Sequence, residues 1–171
     1  VFKTAGVAAD PNGISTTAAV ANNAALVING ALASGGAVAL DAGQLITILS
    51  SADDSAISFT VVGTDVSSAA QTESITGATA GATATGASFF KTISSITAVG
   101  DPAGNVTAGV SASSADVIFA GRARLKGSYI VNSATAGTIK FRNTSVSGST
   151  LMEIGTVASA TVTRDITIPN N

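Results

Sequence analysis

The chain has 171 residues, a formal charge of −2 and only 11 % charged side chains, and it contains no His, Cys or Trp. That inventory excludes disulfides, Cys/His metal sites, thiol nucleophiles and the Ser/His/Asp triad, and it removes the commonest general acid–base residue. With 46 % hydrophobic residues, many of them Ala, and 18 Gly against 3 Pro, the composition points to short β-strands and small-residue loops around a thin core.

Residues 1–23 hold turn chemistry at Asp10, Pro11, Asn12 and Gly13 and no sustained apolar period. They read as an extended N-terminal arm. Dense Ala over 16–25, behind Ser15 or Thr16 as a cap, leaves a helix as the alternative there. The longest apolar stretch, 18–40, is broken by Asn22, Asn23, Asn29, Gly30, Gly35 and Gly36. No membrane span is therefore expected, and no charged-then-apolar leader is evident.

From residue 24 the pattern becomes that of strands. Short apolar runs at 26–28, 37–40 and 44–49 are bounded by Gly, Asn or Ser. After a break at 50–55, Ile57, Phe59 and Val61 alternate with Ser58 and Thr60, the period of a strand with one face inward. Residues 71–76 are β-branched and polar on one face, as suits an edge strand. Strands follow at 89–99 and 105–110; at Phe89, Phe90 and Lys91, one parity is core and the other surface. About six or seven strands at roughly ten-residue spacing predict an antiparallel sandwich over residues 24–112.

Charge then changes sign. Residues 1–115 carry two cations against seven acids, and residues 116–171 carry six cations against three acids. The polar residues 111–114 at the change suit a linker, so a second module is placed at 113–171. There, residues 125–131 and 138–142 flank Gly-containing 132–137 as a hairpin, with Ile139 and Phe141 facing opposite to Lys140 and Arg142. Strands follow at 151–154 and 161–168, and Arg164 shares the inward parity of Val162 and Ile166, which calls for a partner or an interface. So small a module buries little surface alone and is expected to lean on another surface. Pro169, Asn170 and Asn171 form a turn signal, so a further strand is expected beyond them.

Few residues invite chemistry. Asp53, Asp54 and Ser55, or Asp10 with Asn12, offer oxygens for calcium, but neither stretch has the spacing or the closing bidentate carboxylate. The Gly-rich stretch 77–86 lacks the Lys-Ser/Thr ending of a phosphate loop and reads as a flexible surface loop whose small residues let another backbone lie close. Arg122, Arg124 and Lys126 alternate along one strand face, with Lys140 and Arg142 expected beside them. Together with Arg164 they are the candidate partner interface, for an acidic protein surface. With no Trp and one Tyr, base stacking has little to work with, so nucleic acid is not the expected partner.

Residues 44–48, 57–65, 70–77, 80–81, 90–93 and 104–106 resemble an Ig-like module common in virion structural proteins of tailed bacteriophages, especially marine cyanophages. Residues 127–130, 137–141 and 166–169 are similar to a second module of such proteins. The resemblance implies a virion location and carries over no catalytic residue. The expected fold is all-β: an extended N-terminal arm, an Ig-like antiparallel β-sandwich and a second small β module. The expected function is non-enzymatic: a capsid decoration or cement protein, homo-oligomeric, bound to the major capsid protein or other virion proteins, without cofactor or metal. A tail or adsorption-apparatus subunit and a bacterial surface adhesion module are the alternatives.

Overall fold

The computed structural model describes residues 6–117, 127–131, 135–143 and 148–165. The chain is all-β and divides into two units, Val1–Asp116 and Val117–Asn171.

The first unit is an antiparallel sheet. Its strands are β1 (Asp10–Ala19), β2 (Ala33–Ser34), β3 (Ala37–Ser50), β4 (Ser58–Thr64), β5 (Ala70–Thr76), β6 (Thr83–Val99) and β7 (Asn105–Ala115). They hydrogen-bond in the order β1-β7-β3-β6-β4-β5, with β2 added to β3. Two long strands let this sheet wrap. The first half of β6 pairs with β3 and its second half with β4, as in Leu49↔Thr83 and Phe59↔Ala98. Register shifts between Ala39 and Gln44, and again between Leu45 and Thr47, bend β3 against β6; such bulges sharpen local twist. All strands but β2 thereby send buried side chains into a single core: Ile14, Ile46, Ile48, Phe59, Val61, Ile75, Phe90, Ile93, Ile96, Val106 and Val110 among them. Phe59 and Phe90 are its largest members, both wholly buried, and burial of such a side chain stabilises the fold by roughly 1.5–3 kcal/mol. Ile57, Phe59 and Val61 face inward as their alternation requires, and β5 is the edge strand its polarity indicates.

Four expectations are corrected. The N-terminal segment is extended, but from Asp10 it is no free arm. It is the edge strand β1, paired with β7 through Ser15↔Ala108 and Ala18↔Val106, with two register shifts. Gly109 makes this docking possible, because a Cβ there would strike the Asp10 carbonyl. Residues 111–114 are not a linker, since Ser114 and Ala115 lie opposite Gln44 and Gly43 within β7; the units divide after Asp116. The runs 37–40 and 44–49 are one strand, because the turn-like residues between them are absorbed as a bulge. The apolar run 26–28 is no strand: the residue before it, Ala25, makes an isolated bridge to Thr97, the Leu26 amide donates to the Ile96 carbonyl at 2.8 Å, and Leu26 is buried.

The second unit consists of β8 (Gly127–Val131), β9 (Gly137–Arg142), β10 (Thr150–Thr156) and β11 (Thr161–Asp165). β8 pairs with β11, and β9 pairs with β10. The hairpin expected between 125–131 and 138–142 is therefore not formed. β9 turns instead into β10, closed by the Asn143 amide donating to the Ser149 carbonyl at 3.1 Å.

Candidate interaction surfaces

The expected basic stripe is only partly placed. Arg122, Arg124 and Lys126 lie outside the described residues, and Arg164 is opposite Ser128 in the β8–β11 ladder. Lys140 and Arg142 lie on β9, but their neighbour is β10. Lys140 Nζ is 3.5 Å from Glu153 Oε2, both side chains about half exposed. Such a pair is worth about 0.2–1 kcal/mol. Arg142 donates to the Gly148 carbonyl at 2.8 Å. Both cations are thus engaged within their own hairpin.

The opposite face of this hairpin is apolar. Ile139 lies across from Ile154, and Phe141 across from Met152; directly opposed residues share a face. A register shift between Thr150 and Met152 leaves Leu151 as the extra residue of a bulge, a device that re-aims a side chain. Leu151 is 70 % exposed, Tyr129 is 71 % exposed, and Val157 and Ile139 are also open to solvent, whereas Ile154 is buried. Among the described residues Ile154 and Thr156 are the buried side chains of the second unit. Sequence reasoning missed Leu151, since Leu151 and Met152 alternate equally well in either register and only the bulge decides between them.

A second surface is the loop end of the first unit, where three loops are bound into one cap. Asp54 is the staple. Its amide donates to the Ala78 carbonyl, its carbonyl accepts from the Ile57 amide, and its Oδ1 accepts from the Ala103 amide at 2.7 Å. Its side chain is wholly buried, and Oδ2 has no hydrogen-bond partner. Gly77 lies directly on the Asp54 backbone, where a Cβ would clash. Nearby, the Ser51 amide donates to the Asn105 carbonyl, the Asn105 amide donates to Ser51 Oγ, and the Gly81 amide donates to the Ser50 carbonyl. The Gly-rich stretch is therefore a pinned turn at 77–82, and from Thr83 onward it is strand β6. Its small residues do admit a neighbouring backbone, as expected.

Asp53 and Asp54 meet different surroundings despite their adjacency. Asp53 is exposed; hydrogen bonds from the Ser55 hydroxyl, and then from the Ser55 amide, hold its carboxyl below the ordinary 3.8. Among the described residues no group of three or more acidic side chains is placed to hold a metal ion. No described helix is long and apolar enough to cross a membrane. Comparison with protein-family models, curated proteins and solved structures finds no match to this chain.

Proposed function

We propose that the chain is a non-enzymatic structural protein of a tailed-phage virion, built on an Ig-like first unit and decorating or cementing the capsid shell. The observation that carries this reading is the imbalance between the two units. The first has a core drawn from six strands. The second is made of two-stranded ladders with Leu151, Tyr129 and Val157 exposed and a single large apolar side chain, Ile154, buried among the described residues. A unit of that size and build does not sustain itself in water, so its working state is one in which a neighbouring surface covers it. The similarity of residues 44–106 and 127–169 to modules of phage virion proteins supplies the setting, and many weak contacts repeated over a shell supply stability by mass action.

The test is a count of copies per purified particle by quantitative mass spectrometry. Copies on the order of hundreds support the shell, since each coat facet repeats the site. About six or twelve, the counts of axial tail symmetry, move the protein to the tail or adsorption apparatus. Absence from particles removes the proposal.

A further inference from the structure

We propose that Asn12 is a self-modification site: with the amide of Gly13 it closes to a succinimide and opens to aspartate or isoaspartate. The fold permits this at Asn12 and blocks it at the other Asn-Gly pair of the chain, Asn29 and Gly30. The inference stands apart from the virion reading.

The chemistry needs only water. The Gly13 nitrogen gives its proton to solvent and attacks the side-chain carbonyl carbon of Asn12, so a C–N bond forms. The bond to the side-chain nitrogen breaks, and that nitrogen takes a proton from water and leaves as ammonia. A second water opens the ring at either carbonyl and leaves a carboxylate. Glycine suits the attacking position because it has no side chain to crowd the ring and the widest backbone freedom, and the reacting groups are already held on adjacent residues.

At residues 12–13 the structure leaves this path open. Asn12 is exposed, and its side chain makes no hydrogen bond among the described residues. It lies in the register shift between Asp10↔Val110 and Ser15↔Ala108, where residues 11–14 face Gly109 alone. A regular ladder cannot pair four residues with one, so this stretch is held less firmly than strand. The Asn12 amide reaches Asp10 Oδ1 only at 3.3 Å. Gly13 is buried, but its bond from the Leu32 amide falls on its carbonyl rather than on the attacking nitrogen.

At residues 29–30 the same dipeptide is locked. The Gly30 amide donates to the Ile14 carbonyl at 2.9 Å, which commits the nitrogen that would attack. Asn29 Oδ1 accepts from the Thr16 amide and the Thr16 hydroxyl, both at 3.0 Å, which pins the side chain on β1. Gly30 also rests on the carbonyls of Asn12 and Gly13, where a Cβ would clash. That contact gives the modification a structural consequence. Isoaspartate adds one carbon to the backbone beneath Gly30, and either product adds a negative charge beside Asp10, so the hold of residues 29–32 on β1 loosens.

The purified full chain is incubated in mildly alkaline buffer, folded and in concentrated urea, and deamidation is located by mass spectrometry with fragmentation. In urea both asparagines react at similar rates. In the folded chain Asn12 is expected to react about tenfold or more faster than Asn29, which must first give up its bonds to Thr16 and that of Gly30 to Ile14. An isoaspartate methyltransferase then labels the folded product at residue 12. Thr16→Val, which deletes the hydroxyl donor, should raise the rate at Asn29 and leave Asn12 unchanged. Equal rates at the two sites in the folded chain overturn the proposal, as does faster reaction at Asn29. An Asn12 that reacts in urea but stays intact in the folded chain overturns it as well.

Discussion

Gln44 holds Val7 as a neighbouring strand would. Its side-chain Nε2 donates to the Val7 carbonyl at 2.8 Å, and its Oε1 accepts from the Val7 amide at 3.1 Å. The same Nε2 donates to the Ser111 carbonyl at 2.7 Å, and the whole side chain is buried. One amide thus satisfies three backbone groups and ties the segment before β1 to the middle of the sheet. Removing it strands those groups, since a buried backbone donor or acceptor without a partner costs about 1–3 kcal/mol. Gln44→Leu is expected to lower stability by about 2–4 kcal/mol, measured by urea unfolding. Gln44→Glu is expected to be worse, because a carboxylate oxygen then faces two carbonyls. Indistinguishable midpoints for the two variants would contradict this account.

The β4–β5 hairpin carries a correctable strain. Asp65 Oδ1 accepts from the amides of Ser67 and Ala69 at 2.8 and 2.9 Å, and Ser68 adopts a φ of +66°. A non-Gly residue there is disfavoured by about 1–2 kcal/mol, less the extra entropy that Gly loses on folding. Ser68→Gly should therefore stabilise the first unit by about 0.5–1 kcal/mol. Asp65→Ala should destabilise it by about 1 kcal/mol through loss of the cap. Thermal unfolding of both variants checks the pair of signs.

Asp54 separates hydrogen bonding from charge. Asp54→Ala deletes the acceptor of the Ala103 amide in a buried site, at a cost of about 1–3 kcal/mol. Asp54→Asn keeps an acceptor oxygen and brings no ionisable group into burial, so its stability should stay within about 1 kcal/mol of the parent. Hydrogen exchange at the Ala103 amide is the matching local readout: it should quicken in Asp54→Ala and stay slow in Asp54→Asn.

Asp53 makes a pH prediction with a definite sign. Its folded-state pKa is depressed by Ser55, so its contribution is present above the ordinary carboxylate value and is lost as pH falls through the folded pKa. Ser55→Ala removes the first of the two hydrogen bonds. In a carboxyl-detected NMR titration, the Asp53 midpoint should then move upward.

Much of the first unit was legible because its signal is local. Ile57, Phe59 and Val61 alternate without interruption, and β4 faces the core accordingly. The polar edge at 71–76 and the long run to Val99 were legible for the same reason. What escaped the sequence depends on distant partners. Pro11, Asn12 and Gly13 read as a turn, yet β1 absorbs them through bulges, and Pro is tolerated there because β1 is an edge strand. Residues 125–131 and 138–142 looked like a hairpin because nearness in sequence favours pairing, but β8 pairs with β11 and β9 with β10.

The interaction surface was less legible still. Formal charge drew attention to Lys140 and Arg142, whereas Glu153 on β10 and the Gly148 carbonyl engage them within their own hairpin. Gln44 and Asp54 gave no warning, because a buried polar residue is recognised only by the backbone groups that reach it.

The proposed cementing role is tested most directly by the thermal disruption of phage particles with and without this chain, followed by dye access to the packaged DNA. Under that proposal, particles lacking the chain open at a lower temperature, and adding the purified chain back restores the original value. Identical opening temperatures in both preparations would contradict it.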